Sequence, residues 1–352
     1  MKRVKLGKSD IEVSQFCLGT MTFGNQTPEP DAHAQMDRAK EAGITFFDCA
    51  EMYPVNPVTA ETAGRSESFI GNWLARTGGR DGLELATKIA GPGGKLRGGE
   101  GINRRTVRAA VEASLKRLQT DYIDLYQLHW PERGSYAFRQ NWSYDPSDQN
   151  PDENRAHMEE VLGELQKLVD EGKLRGFGLS NETAWGTMRW IDTAERTGGP
   201  RVLSVQNEYS LLYRLYDLDS AETAVNEGVT LLSYSPLAAG LLTGKYQDGN
   251  RPEGSRAAVD LSHGGPGNLG GRLTDRARDA VASLDQLARE HGTDLVALAL
   301  NWQIGRPFPV VPILGATTDA QLSFQLERLG QEVSADLRKE VDKLNRQCPM
   351  PY

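Results

Sequence analysis

Eight short apolar runs separated by longer amphipathic stretches predict an α/β chain whose strands close into a parallel (β/α)8 barrel. Three observations carry that expectation. The runs recur at Ser14–Gly19, Thr45–Asp48, Leu83–Lys88, Ile123–His129, Gly176–Ser180, Leu203–Asn207, Thr230–Ser235 and Pro309–Leu314, the rhythm of repeated βα units rather than of linked hairpins. Several runs close on a polar side chain, as strands do when their C-terminal ends face a site. The 352 residues, 38% of them hydrophobic, can bury a large core. Length alone would suggest about two domains, but a barrel of this size forms one, residues 1–352.

Ahead of the first barrel run, R-V-K-L-G-K-S-D-I-E-V places two alternating segments around a glycine-containing turn and reads as an N-terminal β-hairpin closing the barrel bottom. Between the runs, Val107, Val111, Leu115 and Leu118 share one helical face, as do Val161, Leu165 and Leu168 before Gly172; both faces should pack onto the barrel. Three stretches break the rhythm. Met52–Gly64 is rich in Pro and Thr, Glu132–Glu153 in aromatic and polar residues, and Asp248–Gly271 in Gly. They are the long loops after the second, fourth and seventh strands, at the C-terminal face where βα loops wall a site.

The formal charge of −8, without long acidic or basic blocks, argues against nucleic acid or an anionic membrane as partner. Cys17, Cys49 and Cys348 form no C-x-x-C pair, and M-K-R-V-K-L-G-K-S-D has no apolar signal core, so a reducing cytoplasm is the expected location. No apolar run approaches the roughly 20 residues that span a bilayer. The N-x-[ST] matches at Asn25, Asn141 and Asn181 are then read as chance. Five scattered histidines without H-x-x-x-H spacing give no metal site.

Two nucleotide motifs are decoys. Gly265, Gly267 and Gly270 satisfy G-x-G-x-x-G, but no strand precedes them and Pro266 lies inside, so the segment reads as a loop. L-T-G-K-Y (Leu242–Tyr246) lacks Walker spacing and the Ser or Thr that magnesium requires.

Four residues carry chemistry: Asp48, Tyr53, Lys88 and His129, each at or just beyond the end of an apolar run. A phenol beside an ammonium and an imidazole is a plausible proton donor, since positive charge stabilises phenolate and pulls the tyrosine pKa down. Asp48 would hold Lys88 charged. Singly, Tyr53 reads as an ordinary loop tyrosine, His129 as a hydrogen-bonded strand-end histidine, and Lys88 as a surface or Schiff-base lysine. A lysine held as ammonium is a poor nucleophile, so the Schiff-base alternative needs Asp48 far away.

At this point the chain resembles the aldo-keto reductases, which carry Asp, Tyr, Lys and His in this order on one (β/α)8 TIM barrel. D-C-A-E-M-Y, T-K, D-L-Y-Q-L-H-W-P, G-F-G-L-S-N-E, V-Q-N-E-Y-S-L-L, S-Y-S-P-L-A-A-G-L-L-T-G-K-Y and P-I-L-G-A-T-T-D-A-Q-L run in family order from Asp48 to Leu322. Within the family the likeness is to the bacterial Tas-type branch, related to the potassium-channel β-subunit-like proteins, through E-M-Y-P-V, I-G-N-W-L-A, R-L-Q-T-D-Y-I-D-L-Y and L-S-N-E-T-A. The resemblance implies catalysis by Asp48, Tyr53, Lys88 and His129, with Tyr53 giving a proton to a carbonyl oxygen, Lys88 lowering its pKa and His129 orienting the carbonyl.

The resemblance also implies NADPH/NADP+ lying across the barrel mouth. Ser180, Asn181 and Gln206 would hold the nicotinamide carboxamide, and Tyr234 would stack on its ring. The backbone at Ser235, Pro236, Leu237 and Ala238 would approach the pyrophosphate, where small residues permit close contact. Lys245 and Arg256 would meet the 2′-phosphate. Thr317 and Gln321 would lie near phosphate and adenine, and Thr20, Met21, Gln26, Asp48, Gly315 and Gln325 complete the implied cofactor set. One departure stands out: where many relatives read Q-L-x-E-N this chain reads Q-L-S-F-Q, with Phe324 for Glu and Gln325 for Asn, which weakens the expected adenine contacts.

The implied function is NADPH-dependent reduction of a small-molecule carbonyl substrate, aldehyde or ketone, to an alcohol. The alternative is an NADP(H)-binding redox-sensing subunit with little turnover. Trp130, Tyr136, Phe138, Trp142 and Tyr144 crowd the fourth loop, where they either line an apolar substrate pocket or pack the loop onto itself.

Overall fold

A computed structural model describes residues 1–352. Its strands are β1 (Arg3–Lys5), β2 (Glu12–Ser14), β3 (Cys17–Gly19), β4 (Phe46–Asp48), β5 (Glu84–Ile89), β6 (Leu125–Leu128), β7 (Phe177–Ser180), β8 (Val202–Glu208), β9 (Thr230–Tyr234) and β10 (Val310–Leu314). β3 to β10 close into a barrel in sequence order, with β10 beside β3 and every neighbouring pair parallel. These are the eight apolar runs, with differences at their ends. The largest is at the first, where Ser14 belongs to β2. Its hydroxyl donates to the Phe16 carbonyl at 2.7 Å and accepts from the Thr45 and Phe46 amides at 3.1 and 3.2 Å, so it turns the chain into the barrel.

β1 and β2 pair antiparallel and form the expected bottom plug. Leu6, Ile11 and Val13 are buried against Cys17, Phe46, Leu125, Leu203 and Val311 on the inward faces of the barrel strands, and burying each such side chain contributes roughly 1.5–3 kcal/mol. Gly7 makes the close approach possible. Its φ is +58°, and a Cβ there would lie 2.5 Å from the Leu203 carbonyl oxygen, while its amide donates to Thr230 Oγ1 at 2.9 Å.

The helix Arg104–Leu118 begins with a reciprocal cap: Asn103 Oδ1 accepts from the Thr106 amide at 3.0 Å and Thr106 Oγ1 from the Asn103 amide at 2.8 Å. It buries Val107, Val111, Leu115 and Leu118, the face read from the sequence. The helix Pro151–Asp170, capped by Asn150, buries Val161, Leu165 and Leu168. A helix at Arg256–Ser262 interrupts the stretch Asp248–Gly271, which the sequence reads as loop throughout. Ser255 caps it, a weak local signal hidden among glycines. The G-x-G-x-x-G segment is loop: a Cβ on Gly265 would strike the Asp260 carboxylate, which accepts from the Gly267 amide at 2.8 Å. No helix is long and apolar enough to cross a membrane.

Candidate active site

Strand pleat decides which polar groups meet. Asp48, Lys88 and Gln127 lie on neighbouring parallel strands, where Asp48 is in register with Ala86 and Lys88 with Gln127, and Gln206 lies near the C-terminal end of β8. Lys88 Nζ donates to Asp48 Oδ2 at 2.6 Å and to the Cys49 carbonyl at 2.8 Å. Asp48 Oδ1 accepts from Gln127 Nε2 at 3.0 Å and Gln206 Nε2 at 2.9 Å. The side chains of the ion pair are 0% and 3% exposed, so each needs the other's charge. Burial pulls the Lys88 pKa down, but Asp48 outweighs it and holds the ammonium above the ordinary lysine range. Held as an ammonium against Asp48, Lys88 is a poor nucleophile for a Schiff base.

Tyr53 follows β4 in a loop, and its hydroxyl accepts from Lys88 Nζ at 3.4 Å. Burial pushes the phenol above its ordinary value, against the opposing pull of Lys88. This corrects the expected downward shift: the ammonium acts in the anticipated direction, but desolvation of a phenolate costs more. The group is a protonated phenol. His129 lies edge-on to Tyr53, ring centroids 5.7 Å apart. Burial, and then the positive charge of Lys88, hold its pKa well below the histidine range, so the imidazole is neutral. Its Nδ1 is buried without a protein partner. Glu51 braces the floor, accepting from the Ala90 amide at 2.7 Å and from Arg97 Nη1 at 2.6 Å.

The residues expected at the nicotinamide are interlinked. Asn181, at φ +54°, donates from Nδ2 to the His129 carbonyl at 2.9 Å and accepts the Tyr234 hydroxyl on Oδ1 at 2.8 Å. Ser180 Oγ donates to the Gln206 carbonyl at 2.9 Å, and the Gln206 amide nitrogen is turned to Asp48. Beyond Tyr234, Ser235, Ala238 and Ala239 have φ of +53°, +48° and +56°, a run of left-handed residues around Pro236 and Leu237 that bends the backbone over the mouth. Thr20 is buried, its hydroxyl donating to the Asp48 carbonyl at 3.0 Å; Met21 packs on the core.

The loop bearing Gln26 is tied to the end of β10 by Thr22 Oγ1 to the Ala316 carbonyl and Thr27 Oγ1 to the Thr317 carbonyl, both 3.1 Å. There Thr317 Oγ1 donates to Gln321 Oε1 at 3.0 Å, and Gln325 Nε2 to the Gly315 carbonyl at 2.8 Å. Phe324 is exposed under the Arg328 guanidinium, 3.3 Å from its ring centroid.

Lys245 and Arg256 have no carboxylate partner. Burial lowers both pKa values, that of Arg256 to about 10, with Arg272 and Arg139 adding to the effect. Cations held this way fit an anionic group, and the left-handed turn at Ser235–Ala239 fits close approach of a phosphate, so these residues suit a dinucleotide. Of the fourth-loop aromatics, Trp130 meets Phe138 and Tyr136 meets Tyr144 edge-on, while Trp142 is 73% exposed. Tyr136 and Phe138 also line a small cavity with Asn181, Tyr213 and Tyr234. The aromatics thus pack partly on one another, and Tyr136 and Phe138 also face a cavity.

Sequence reasoning missed Gln127, the second amide on Asp48. Its signal is strand alternation, since it stands two residues before His129. It also missed Glu208, which ends β8, and Arg139 and Arg272, which long-range loop packing brings beside it. No three His, Cys, Asp or Glu side chains gather as a metal-binding group.

The aldo/keto reductase family model matches residues 15–346. Protein tas of Escherichia coli is 41% identical over 359 residues, spanning 100% of this chain and 99% of its own. The uncharacterized oxidoreductase YrpG of Bacillus subtilis is 32% identical over 97% of this chain and 94% of its own. A probable voltage-gated potassium channel subunit beta of Arabidopsis thaliana is 30% identical over 92% and 89%. A match along nearly the whole barrel, with a full-length relative at this identity, means that the chain belongs to the aldo/keto reductase family, and so to a group of oxidoreductases acting on carbonyl compounds.

Proposed function

We propose that the protein is an NADPH-dependent carbonyl reductase, converting an aldehyde or ketone to an alcohol, with Tyr53 as proton donor. The observation that carries this reading is the buried Lys88–Asp48 pair set beneath the Tyr53 hydroxyl, beside a neutral His129. When bound, the reduced nicotinamide supplies hydride to the carbonyl carbon. Tyr53, protonated at neutral pH, gives its proton to the carbonyl oxygen as charge builds there. Lys88 then faces the phenolate at hydrogen-bond distance and stabilises it; Asp48 keeps Lys88 charged through that step. The phenol recovers its proton from solvent at the mouth. Neutral His129 donates a hydrogen bond to the carbonyl oxygen, fixing its orientation and favouring the alkoxide-like transition state.

Lys245 and Arg256 would hold the 2′-phosphate, which is the basis for naming NADPH rather than NADH. Tyr53→Phe keeps the ring and removes only the proton, so turnover should fall to background while NADPH still quenches tryptophan fluorescence. Unchanged turnover would sink the mechanism. The similarity to plant channel β subunits supports a second reading, an NADP(H)-binding redox-sensing subunit. Tight NADPH binding without turnover on a broad panel of aliphatic, aryl and sugar-phosphate aldehydes would favour it.

A further inference from the structure

The loop after β6 crosses the barrel mouth to the loop after β9. Its near end is pinned: Arg133 Nη1 donates to Glu182 at 3.1 Å, and Ser135 Oγ to the Asn181 carbonyl at 2.7 Å. Phe138 and Arg139 then take φ of +56° and +64° in succession, a conformation that crowds L side chains and persists only where the surroundings enforce it, often at ligand clamps. From there Arg139 lies against Gly270: a Cβ on that glycine would stand 2.7 Å from Arg139 Nη2 and 3.1 Å from its Cζ. Two residues further on, Arg272 is held doubly by Glu208, at the end of β8, at 2.8 and 2.7 Å, and donates to the Leu269 carbonyl at 3.0 Å.

The charges around this contact do not balance. Glu208 is engaged by Arg272, whereas Arg139 and Arg256 have no hydrogen-bond or ion-pair partner. Burial and the charge of Arg272 hold both below the ordinary arginine range, and Arg139 adds to the effect on Arg256. Glu208 also draws on both electrostatically, but three clustered, partly desolvated cations facing one carboxylate are unfavourable until a further anion joins them.

We propose that Arg139 is a cofactor-positioning residue that binds the dinucleotide pyrophosphate from the loop after β6, opposite the backbone turn at Ser235–Ala239, so that two loops clasp the cofactor. The inference rests on the dinucleotide reading above and deepens it. With Lys245 and Arg256 assigned to the 2′-phosphate, the pyrophosphate otherwise meets only backbone, and Arg139 supplies the missing side-chain cation. Its contact with Gly270 puts it on the β9 side of the mouth, where the cofactor phosphates are assigned, rather than above Tyr53.

The test titrates NADPH and NADH into the full-length protein, its Arg139→Gln and Arg139→Lys variants, and Lys245→Gln, following tryptophan quenching and displacement kinetics. Loss of one charge-assisted contact should weaken Arg139→Gln binding by about tenfold to a hundredfold. The factor should be the same for both dinucleotides, since both carry the pyrophosphate, and should appear as faster release. Arg139→Lys should recover part of it, and Lys245→Gln should weaken NADPH alone. Arg139→Gln binding both dinucleotides like the wild type overturns the clasp, including the case in which only the KM of a carboxylated aldehyde rises, which would assign Arg139 to an anionic substrate. A loss confined to NADPH also overturns it, by placing Arg139 at the 2′-phosphate. Wild-type protein that binds neither dinucleotide overturns the functional reading itself.

Discussion

Asp48→Asn isolates the charge that supports the site. Asn keeps the shape of Asp48 and can still accept on one atom from Gln127 or Gln206, which both reach Oδ1 in the wild type. Its NH2 must then face Lys88 Nζ, 2.6 Å away in the native pair, donor against donor. A fully buried ammonium stripped of its partner costs about 3–5 kcal/mol, a large share of a typical folding stability of about 5–15 kcal/mol. In the wild type Lys88 titrates above its unfolded value of about 10.4. Its contribution is therefore fully present below that pH and is lost only as pH rises through the folded pKa. In the variant, burial acts unopposed and the folded pKa drops below the unfolded one. The deficit should be largest near neutral pH and shrink as pH approaches about 10. Denaturant titrations of both proteins at neutral and alkaline pH measure it, and NADPH oxidation should show a lower kcat in the variant. Asp48→Asn/Lys88→Met should recover part of the lost stability, because no buried charge remains. A deficit below about 1 kcal/mol, or one identical at both pH values, would refute the reasoning.

Other outcomes follow from the same geometry. If neutral His129 orients the carbonyl, kcat/KM should stay flat as pH falls through about 6.5, the ordinary histidine range, because burial and Lys88 hold its pKa well below that; a decline centred there would show that His129 titrates normally. Gly7→Ala should destabilise the fold by at least about 1 kcal/mol without altering the site, since the new methyl meets the Leu203 carbonyl at 2.5 Å at φ +58°. A lower denaturation midpoint with unchanged kcat is the expected pair of readings. Asn103→Ala removes the cap of the Arg104–Leu118 helix and should cost about 1 kcal/mol, measured in the same denaturant titration.

Local pattern was enough for the barrel. Each run from Cys17–Gly19 to Val310–Leu314 has its own apolar period and turn signals, and parallel strands joined by helices have few ways to close. Asp48, Lys88 and His129 were legible because strand ends are local features, and Tyr53 because it stands in an ordered motif beside them. The sign of the Tyr53 pKa shift was not legible, because burial and a nearby charge oppose each other and only packing sets their sizes. Gln206 showed the same limit: the sequence places it at the barrel mouth, while packing alone points its amide nitrogen at Asp48. The short helix at Arg256–Ser262 was hidden because glycines around it outweigh one capping serine. Arg139 is the furthest from anything local: its meeting with Gly270 joins loops that leave different strands, and no period in either segment encodes it. What the sequence determined by itself is the set of elements and the chemistry at strand ends, since both repeat with the backbone's own geometry. The tertiary structure decided which charges are paired, which are left bare and where loops cross, because those depend on desolvation and on contacts between segments far apart in the chain.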